Sequence, residues 1–455
     1  MNTKALRQKI LDLAIHGKLV PQDPNDEPAS VLLERIRAEK ERLVKEGKIK
    51  RPKKTKATSD KPHYENVPFE VPSSWVWTTL GDIAEIITGN TPSKDIKEYY
   101  SGNIPFFKPT DLEQGIHTKY SKDRLTPLGF EQSRKLPANS VLVTCIGATI
   151  GKTGLTTVEG TCNQQINAII PTSAILAKFL FYVCISDYMQ HEIKANASAT
   201  TLPILNKANF SKIAITIPPL QEQSRIVKSI EHWLSLVDCI ETNKDNLQRT
   251  IKEAKSKILT LAIHGKLVPQ DPTDEPAGKL LKRINPKAEI TSDNGHYQKL
   301  PEGWVITPMQ TLCALVDGEK QNGIERINLD VKYLRGEREA KVLTSGKYTA
   351  ANTLLILVDG ENSGEVFRAP VDGYQGSTFK QLSIREEMYT DYVLQVINLH
   401  RKTLRENKVG SAIPHLNKKL FKAINVPIPP YEEQKRIVNA INQTFTILDT
   451  IMENL

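Results

Sequence analysis

The stretch IPPLQEQSRIV at residues 217–227 opens the segment that decides the fold, because both halves of that segment occur twice. It recurs as IPPYEEQKRIV at residues 428–438, an offset of 211. The other half, KILTLAIHGKLVPQDP at residues 257–272, recurs as KILDLAIHGKLVPQDP at residues 9–24, an offset of 248. Laid end to end, the C-terminal and N-terminal pieces rebuild the central element. The repeat therefore predicts a pseudo-two-fold, circular arrangement in which both termini meet beside the middle of a long helix.

Apolar residues in this segment follow a heptad pattern. From Ile226 to Leu261 they are spaced by alternating steps of four and three, with Lys244 taking one polar position. This spacing is typical of a coiled coil, and the helix would be about 54 Å long. The narrow apolar stripe favours a coiled coil over an ordinary long core helix. The predicted seam comprises Ile226, Ile230, Trp233, Val237, Ile240, Leu247 and Ile251, the C-terminal Ile437, Ile441, Leu448 and Ile451, and the N-terminal Leu6, Ile10 and Leu13.

Composition narrows the class of protein. The 455 residues are enough for two or more domains with substantial cores. A net charge of +9 suits a nucleic-acid partner, although many basic proteins bind none. The five cysteines are scattered and odd in number, which indicates a reducing cytosol and argues against a disulfide framework and a zinc site. No apolar run approaches the roughly 18 residues that a membrane helix needs.

Two globular segments alternate with the repeated helical pieces. Each opens near a tryptophan, carries one apolar strand, at 141–145 or 353–358, and closes on a proline followed by Leu-Asn-Lys. Between those signals the segments share little sequence, which predicts two copies of one fold with related but different roles. The predicted fold class is therefore α+β, with two domains of related fold separated by two long antiparallel coiled-coil helices.

The predicted boundaries follow from these segments. In chain order they are an N-terminal helical piece with a basic linker, a first globular domain, a central region with a long helix, a second globular domain and a C-terminal region with a long helix, at residues 1–60, 61–205, 206–290, 291–416 and 417–455. In the linker at 48–61, basic residues far outnumber the single Asp60. Such a linker either contacts DNA phosphates or is a solvated tether.

No motif predicts a catalytic centre. The loop GATIGKT at 147–153 follows a strand, but it has three residues between its glycines where a phosphate-binding loop has four. The matching loop GENSGE at 360–365 has an acid in place of the lysine, so a tight glycine turn is favoured, with Lys152 available to a DNA phosphate. NIPF at 103–106 is faintly similar to a methyltransferase motif that holds an adenine amino group, but it lacks one proline and a cofactor loop. The equivalent His16 and His264 favour helix-cap or interface roles.

Basic and polar loop residues of both globular segments remain as candidates for a function. Phosphate contacts position a protein on DNA, whereas Arg, Lys, Asn and Gln side chains at base edges specify sequence. Each residue alone is more often a solvated surface charge, so only the whole set favours DNA binding. The candidate DNA-binding residues are Thr91, Ser93, Lys94, Lys108, Lys119, Lys122, Arg124, Arg134 and Lys152 in the first segment and Lys320, Arg326, Lys332, Arg335, Arg338 and Lys380 in the second.

Together these motifs resemble those of the specificity subunits of type I restriction–modification systems, and the resemblance covers essentially the whole chain. It is carried by the repeated stretches at 217–226 and 428–437 and by the two AIHGKLVPQ stretches. GNTPSK at 89–94 and GATIGK at 147–152 support it. The second segment departs from the pattern, with Gly-Glu-Lys at 318–320 in place of the Thr-Pro-Ser element and no lysine in its glycine loop.

The resemblance implies that the globular domains at 61–205 and 291–416 are target-recognition domains, each reading one half of a bipartite, gapped DNA site. It also implies that the helical regions dock two methyltransferase subunits and that a motor–nuclease (restriction) subunit joins them. The chain would be cytoplasmic, would bind no cofactor or metal and would not be an enzyme on its own. S-adenosylmethionine, ATP and Mg²⁺ would be used by the partner subunits.

Two other classes of protein stay open from the residues alone. One is a coiled-coil scaffold with two protein-binding domains, which sequence-specific and salt-sensitive DNA binding would exclude. The other is a self-contained DNA methyltransferase or endonuclease. It is disfavoured by the missing cofactor loop.

Overall fold

The computed structural model describes residues 2–46, 67–198, 202–287, 300–409 and 414–454. The basic linker predicted at 48–61 and the first residues of both predicted globular domains lie outside these ranges. The chain forms two compact units, Met1–Asn243 (unit 1) and Lys244–Leu455 (unit 2). The finer five-part division made from the sequence stays a prediction.

Unit 1 combines short helices with two small sheets and a strand pair. Its helices are α1 (Thr3–Ile15), α2 (Ala29–Lys45), α3 (Leu80–Ile83), α4 (Pro127–Glu131), α5 (Ala177–Ile185), α6 (Asp187–Ala195), α7 (Lys207–Ser211) and the first part of α8 (Leu220–Ile263). Its strands are β1 (Val76–Thr79), β2 (Ala84–Thr88), β3 (Tyr100–Phe107), β4 (Asp123–Leu125), β5 (Val141–Thr144), β6 (Thr153–Leu155), β7 (Thr161–Cys162), β8 (Ile166–Pro171) and β9 (Ala214–Ile217). The strands are ordered β2-β8-β5-β6 and β4-β3-β7, with β1 paired to β9.

Unit 2 has the same plan. Its helices are the second part of α8, α9 (Ala277–Ile284), α10 (Met309–Leu312), α11 (Val331–Leu334), α12 (Thr390–Glu406), α13 (Lys418–Ala423) and α14 (Tyr431–Glu453). Its strands are β10 (Val305–Pro308), β11 (Cys313–Val316), β12 (Lys320–Leu329), β13 (Val342–Thr349), β14 (Leu354–Leu357), β15 (Val366–Arg368), β16 (Gly373–Gln375), β17 (Phe379–Ile384) and β18 (Asn425–Ile428). One sheet has the strand order β11-β17-β14-β15. The strands β12, β13 and β16 form a closed set, and β10 pairs with β18.

Strand pairing is largely the same in the two units, although β13 also pairs with β16 in unit 2, whereas β4 and β7 are not neighbours in unit 1. In unit 1, β3 pairs antiparallel with β4 and parallel with β7; in unit 2, β12 pairs antiparallel with β13 and parallel with β16. The pair β1–β9 joins Val76 to Ile217, and the pair β10–β18 joins Val305 to Ile428. Two prolines follow each of the closing strands, and because proline has no N–H to donate, the strand ends there and a helix begins. The predicted α+β class with two copies of one fold is confirmed.

A partly buried polar network, here called the frame network, joins residues in and next to the repeated sequence stretches. In unit 1, Gln22 Nε2 donates to Glu222 Oε1 at 3.1 Å, and Gln223 Oε1 accepts from the Leu176 N–H at 2.9 Å. The Arg225 guanidinium donates to both carboxylate oxygens of Asp26, at 2.5 and 3.2 Å. These bonds join the N-terminal piece, α5 and the first turns of α8. The repeated residues therefore hold together chain segments that are far apart in sequence.

Glycines end the helices that precede the frame network. In unit 1 the Gly17 N–H donates to Ala14 O and the Lys18 N–H donates to Leu13 O, which is a Schellman cap. Gly265 and Lys266 make the same bonds at the end of α8, and Gly17 and Gly265 have φ values of 67° and 64°. The predicted cap at Gly17 is confirmed.

The imidazole rings beside these glycines act within the caps. His16 Nδ1 lies 2.7 Å from Asp12 O, and His264 Nδ1 lies 2.6 Å from Thr260 O, so each ring donates to the last turn of its helix. The His16 ring also packs on Phe69, with centroids 3.9 Å apart. The cap role predicted for both histidines is confirmed.

Each unit has one large apolar core and a smaller one. The large cores pack the end of one repeated piece against the start of the other, with Ile10 and Ile226 buried in unit 1 and Leu259 and Ile437 buried in unit 2. The smaller cores lie under the outer strands, with members such as Phe107 and Leu112 in unit 1 and Leu329 and Phe379 in unit 2. Each fully buried Leu, Ile or Phe side chain contributes about 1.5–3 kcal/mol relative to exposure.

The predicted coiled-coil seam is only partly packed. Helix α8 is 44 residues long and buries Ile230, Val237 and Ile251, which are spaced by multiples of seven. The second set of heptad positions begins with the buried Ile226. Its next members, Trp233, Ile240 and Leu247, are each more than a third exposed. The seam is therefore not buried within the chain at these positions, nor at Leu6 and Ile451, which are also more than a third exposed. The other buried members are Ile226, Ile10, Ile437 and Ile441, and the partly buried ones are Leu13 and Leu448.

The physical reason is that α8 meets short partner helices. Within unit 1, the 13-residue α1 reaches α8 through the Arg7 guanidinium, which donates to Asp238 at 2.5 Å and to Glu241 at 2.7 Å. Within unit 2, Lys255 of α8 pairs with Asp449 and lies 4.9 Å from the Phe445 ring centroid of α14. Ion pairs and one set of apolar heptad positions make these contacts. The second set of heptad positions therefore stays exposed.

Candidate nucleic-acid interface

The loop that follows β2 places one group of the predicted residues together. A Cβ on Gly89 would lie 2.2 Å from Asn163 O, so only glycine fits there, and the Asn90 N–H donates to Cys162 O. The Asn90 side chain accepts from the Arg134 N–H at 2.8 Å and donates to Gln132 O at 3.0 Å. Thr91 Oγ1 donates to Gln164 Oε1 at 2.6 Å. Thr91 and Arg134 are therefore fixed side by side.

Two further predicted residues extend from this loop. Ser93 and Lys94 are exposed, and Ser93 Oγ donates to the Asp95 carboxylate at 3.3 Å. Lys94 makes no ion pair with any residue that the structure describes. The Arg134 guanidinium donates to the Thr88 carbonyl, which fixes its orientation.

A second group lies around the connection between β3 and β4. Lys108 pairs with the Asp123 carboxylate and lies 5.7 Å from the Phe106 ring centroid. Lys119, Lys122 and Arg124 are exposed and have no ion-pair partner within the described ranges. These three are, with Lys94, exposed predicted cations of unit 1 without such a partner.

Sequence reasoning missed the aromatic member of this group. Tyr120, which is 62% exposed, lies between Lys119 and Lys122 in the chain. A tyrosine in a loop gives no sequence signal that distinguishes an exposed ring from a buried one. The neighbouring cations were the only available indication.

Lys152 differs from what the sequence suggested, because its ammonium group already has a partner. Gly147 and Gly151 have φ values of 97° and 89°, which confirms the tight glycine turn. Lys152 Nζ lies 2.8 Å from Glu113 Oε1, and this contact lowers the pKa of the Glu113 carboxyl. Lys152 therefore joins the turn to the segment that follows β3, and its contact with a DNA phosphate stays a prediction.

In unit 2 the corresponding ion pair has the opposite polarity. Glu365 follows the second glycine of the turn, as Lys152 does in unit 1, and it pairs with Arg335 just after α11. Arg401 lies on the other carboxylate oxygen of Glu365, at 3.3 Å. The acid in the second glycine loop, which the sequence left unexplained, is therefore the counterpart of Lys152 in a charge-reversed contact.

Most of the other predicted cations of unit 2 are also paired. Arg338 pairs with Asp330, and Arg326 lies 3.8 Å from Asp372 and 4.6 Å from the Tyr348 ring centroid. Lys320 and Lys332 are exposed, without an ion pair among the residues described.

Lys380 has a carboxylate partner of its own. It pairs with Asp317, which also accepts from Lys347 at 2.7 Å and from the Gln375 amide at 3.2 Å. Lys347 and Lys380 together hold the pKa of the Asp317 carboxyl far below its usual range. Lys380 is thus engaged with Asp317, and its role in DNA binding stays a prediction.

Two classes of site find no support in the described residues. No group of three or more His, Cys, Asp and Glu side chains there is placed to hold a metal ion. Burial raises the pKa of the Cys145 and Cys162 thiols to about 12, so neither is a ready nucleophile. Among the described helices, none combines the length and hydropathy of a membrane span.

Comparison with known proteins identifies the class to which this fold and these loops belong. The sequence profile of the family described as "Type I restriction modification DNA specificity domain" matches residues 72–252 and 301–455. The chain is 31% identical over 421 residues to the type I restriction enzyme EcoAI specificity subunit of Escherichia coli, covering 76% of this chain and 68% of that protein. It is 32% identical over 392 residues to the EcoEI specificity subunit of Escherichia coli, covering 69% of this chain and 62% of that protein.

Solved structures support the fold. The crystal structure of the HsdS subunit from Thermoanaerobacter tengcongensis matches with a TM-score of 0.51 at 17% identity, over 85% of this chain and 93% of that one. A structure described as the basis of complex assembly and conformational transition of the type I R-M system matches with a TM-score of 0.58 at 17% identity, over 85% and 94%. The chain belongs to the family of type I restriction–modification specificity subunits, and it spans about two thirds of the length of the curated relatives named here.

Proposed function

We propose that this chain is the DNA-reading, non-catalytic subunit of a type I restriction–modification complex and that each unit reads one half of a bipartite, gapped site. The observation that carries the proposal is the pairing of a shared frame with different outward loops. Unit 1 and unit 2 share the order of their four-stranded sheets and the frame network, but the connection after β3 exposes Tyr120, whereas the connection after β12 continues with the acids Glu337 and Glu339. Two unlike readers on one chain specify two unlike half-sites.

We further propose that the exposed apolar positions of the long helices dock the methyltransferase subunits. The offset of 211 relates Leu236 to Ile447 and Ile240 to Ile451, and all four side chains are more than a third exposed. Exposed apolar side chains at the same positions of both copies fit two equivalent docking sites. Methylation with S-adenosylmethionine, and ATP- and Mg²⁺-dependent translocation and cleavage, would belong to the methyltransferase and restriction subunits, with the target base flipped into the methyltransferase pocket.

The direct test is selection of bound sequences from random duplex DNA, using the full chain co-purified with its methyltransferase partner. Two unlike half-sites separated by a fixed gap are expected. A single contiguous motif would contradict the assignment of one reader to each unit. No enrichment with an intact complex would instead support a scaffold with two protein-binding domains.

A domain exchange tests the modular part of the proposal. Replacement of residues 61–203 by the corresponding segment of another family member should change one half-site and leave the other half-site and the gap unchanged. A change in both half-sites would contradict independent reading. Replacement of Leu236 and Ile240 by serine should weaken co-purification of the methyltransferase partner without changing the thermal stability of the chain.

A further inference from the structure

The connection between β3 and β4, residues 108–122, presents an exposed aromatic ring beside free cations; it is called the Tyr120 loop below. Tyr120 is 62% exposed, and Lys119 Nζ lies 5.7 Å from its ring centroid. Lys122 and Arg124 follow in the chain, both exposed and without ion pairs in the described part of the protein. An exposed ring among cations is poorly explained by stability alone, because burial of the ring would be favourable.

The side-chain amide of Gln114 fixes the backbone of Tyr120. Gln114 Oε1 accepts from the Tyr120 N–H at 3.0 Å and from the Lys119 N–H at 3.2 Å. Gln114 Nε2 donates to Tyr120 O at 2.6 Å and to Asp111 O at 2.9 Å. Both backbone polar groups of Tyr120 are therefore satisfied by a single side chain, which leaves only its ring to face outward.

A carboxylate fixes the two ends of the same loop. Asp111 Oδ2 accepts from the Lys108 N–H at 2.8 Å, and Asp111 Oδ1 accepts from the Lys122 N–H at 3.2 Å. The next residue, Leu112, is 2% exposed and anchors the segment in the smaller core of unit 1. The loop is thus ordered before any ligand binds, which lowers the entropic cost of binding.

We propose that the Tyr120 loop is the element of unit 1 that reads DNA, with the Tyr120 ring contacting a base and Lys119, Lys122 and Arg124 contacting phosphates. This inference rests on the proposed function. A tyrosine ring supplies an apolar face for a base or a thymine methyl group and a hydroxyl for a polar base edge, while the cations neutralise the flanking backbone. Gln114 is a positioning residue that acts through the Tyr120 backbone.

Unit 2 has no equivalent ring at this place. Its connection between β12 and β13 places Tyr333 within α11, where the ring is partly buried in the smaller core, and continues with the acids Glu337 and Glu339. Truncation of Tyr120 should therefore affect one half-site only.

The test compares full-length variants co-purified with the methyltransferase partner, by selection from random duplex DNA and by titration on the wild-type site. Tyr120→Ala should bind that site at least roughly tenfold more weakly and lose preference at one or two positions of one half-site. Tyr120→Phe separates the ring from the hydroxyl. Gln114→Ala should relax the same positions with a smaller loss, which a merely structural residue would not do. Leu128→Ala, which truncates another exposed apolar side chain of unit 1, is the matched control and should change neither.

Each outcome is distinguishable from failure of the proposed function. If the wild-type complex enriches no motif, DNA reading itself is refuted and the inference falls with it. If wild type enriches two half-sites and Tyr120→Ala retains both the motif and the affinity, only the Tyr120 loop assignment is overturned. Loss of the co-purifying partner in Tyr120→Ala, with an unchanged motif in the remaining complex, would make the loop a protein contact and would also overturn it.

Discussion

At two contacts, the frame network at the start of α8 in unit 1 and its counterpart at the start of α14 in unit 2 use the same donors and acceptors. Gln22 donates to Glu222 at 3.1 Å, and Gln270 donates to Glu433 at 3.1 Å. Arg225 meets Asp26 at 2.5 Å, and Arg436 meets Asp274 at 2.5 Å. Gln22 and Asp26 precede their unit 2 counterparts by 248 residues, and Glu222 and Arg225 precede theirs by 211.

The outward loops of the two units show the opposite behaviour. The lysine of the glycine turn in unit 1 is a glutamate in unit 2, and its partner changes from Glu113 to Arg335. The exposed ring of the Tyr120 loop has no counterpart in the connection between β12 and β13. The difference shows that a buried polar group restricts which residues can surround it, because leaving such a group unpaired costs free energy. Residues of exposed loops can change freely or in compensating pairs.

The largest effect is expected from removing the frame tryptophans. Trp75 and Trp304 are 4% and 2% exposed, and Trp304 Nε1 donates to Glu433 Oε2 at 3.0 Å. Trp75→Ala and Trp304→Ala should each lower the free energy of unfolding by about 3–5 kcal/mol, as truncation of large buried side chains does. Urea unfolding of the full chain, followed by far-UV circular dichroism, measures the loss. If one variant lost less than about 1 kcal/mol, the two frames would not be energetically equivalent.

Breaking the frame ion pairs should have the next largest effect. The Arg225 and Arg436 side chains are about a third exposed, but Asp26 and Asp274 are only 7% and 8% exposed. Arg225→Ala and Arg436→Ala leave a buried carboxylate unpaired, so each should cost about 1–3 kcal/mol. The control substitutions Arg225→Lys and Arg436→Lys keep the charge but lose the two-pronged bond, and should recover part of the stability. Equal losses in the alanine and lysine variants would show that the charge contributes nothing.

The frame carboxyls predict a matching pH dependence. Burial raises the pKa of Glu222 and Glu433, against the opposing effects of Gln22 and Gln270. The folded protein therefore keeps these protons at pH values where the unfolded chain releases them. The contribution to stability is largest below the ordinary glutamate pKa of about 4.3 and declines as pH rises through the raised pKa.

Substitution by glutamine separates this effect from other titrations. Glu222→Gln and Glu433→Gln keep an oxygen acceptor and cannot ionise, so each should flatten the dependence of unfolding free energy on pH above about 4.3 by the same amount. Denaturant titrations at several pH values provide the measurement. A steeper dependence in either variant would mean that the carboxylate is favoured by folding, contrary to its buried position.

The sequence predicted the frame well and the interface poorly, for one physical reason. A repeat of hydrogen-bonded partners, such as Gln22 and Arg225 with their copies, is visible because each copy needs the same residues. The partners that neutralise Lys152 and Lys380 lie 39 and 63 residues away, on other elements, and no spacing rule links them. The heptad indicated a seam, but how much of it is covered depends on the length of partner helices such as α1. The heptad pattern of one helix does not predict the lengths of its partner helices.

The smallest effect is expected from reversing the ion pair of the glycine turn. Lys152→Glu sets two carboxylates against each other and should lower the melting temperature slightly, because both the turn and Glu113 remain solvated. Lys152→Glu with Glu113→Lys copies the polarity of unit 2 and should restore it. Glu365→Lys, alone and with Arg335→Glu, tests the reverse exchange in unit 2, where Arg401 would oppose the new lysine.

DNA binding distinguishes this structural role from the original expectation for Lys152. If the lysine only joins the turn to the segment after β3, the double exchange should leave the slope of log affinity against log salt unchanged. If Lys152 contacts a phosphate, Lys152→Ala should reduce that slope by about one and the double exchange should not restore it. The two units would then differ in function at this position, and the reversed polarity in unit 2 would be a loss of a DNA contact rather than an equivalent way to hold the turn.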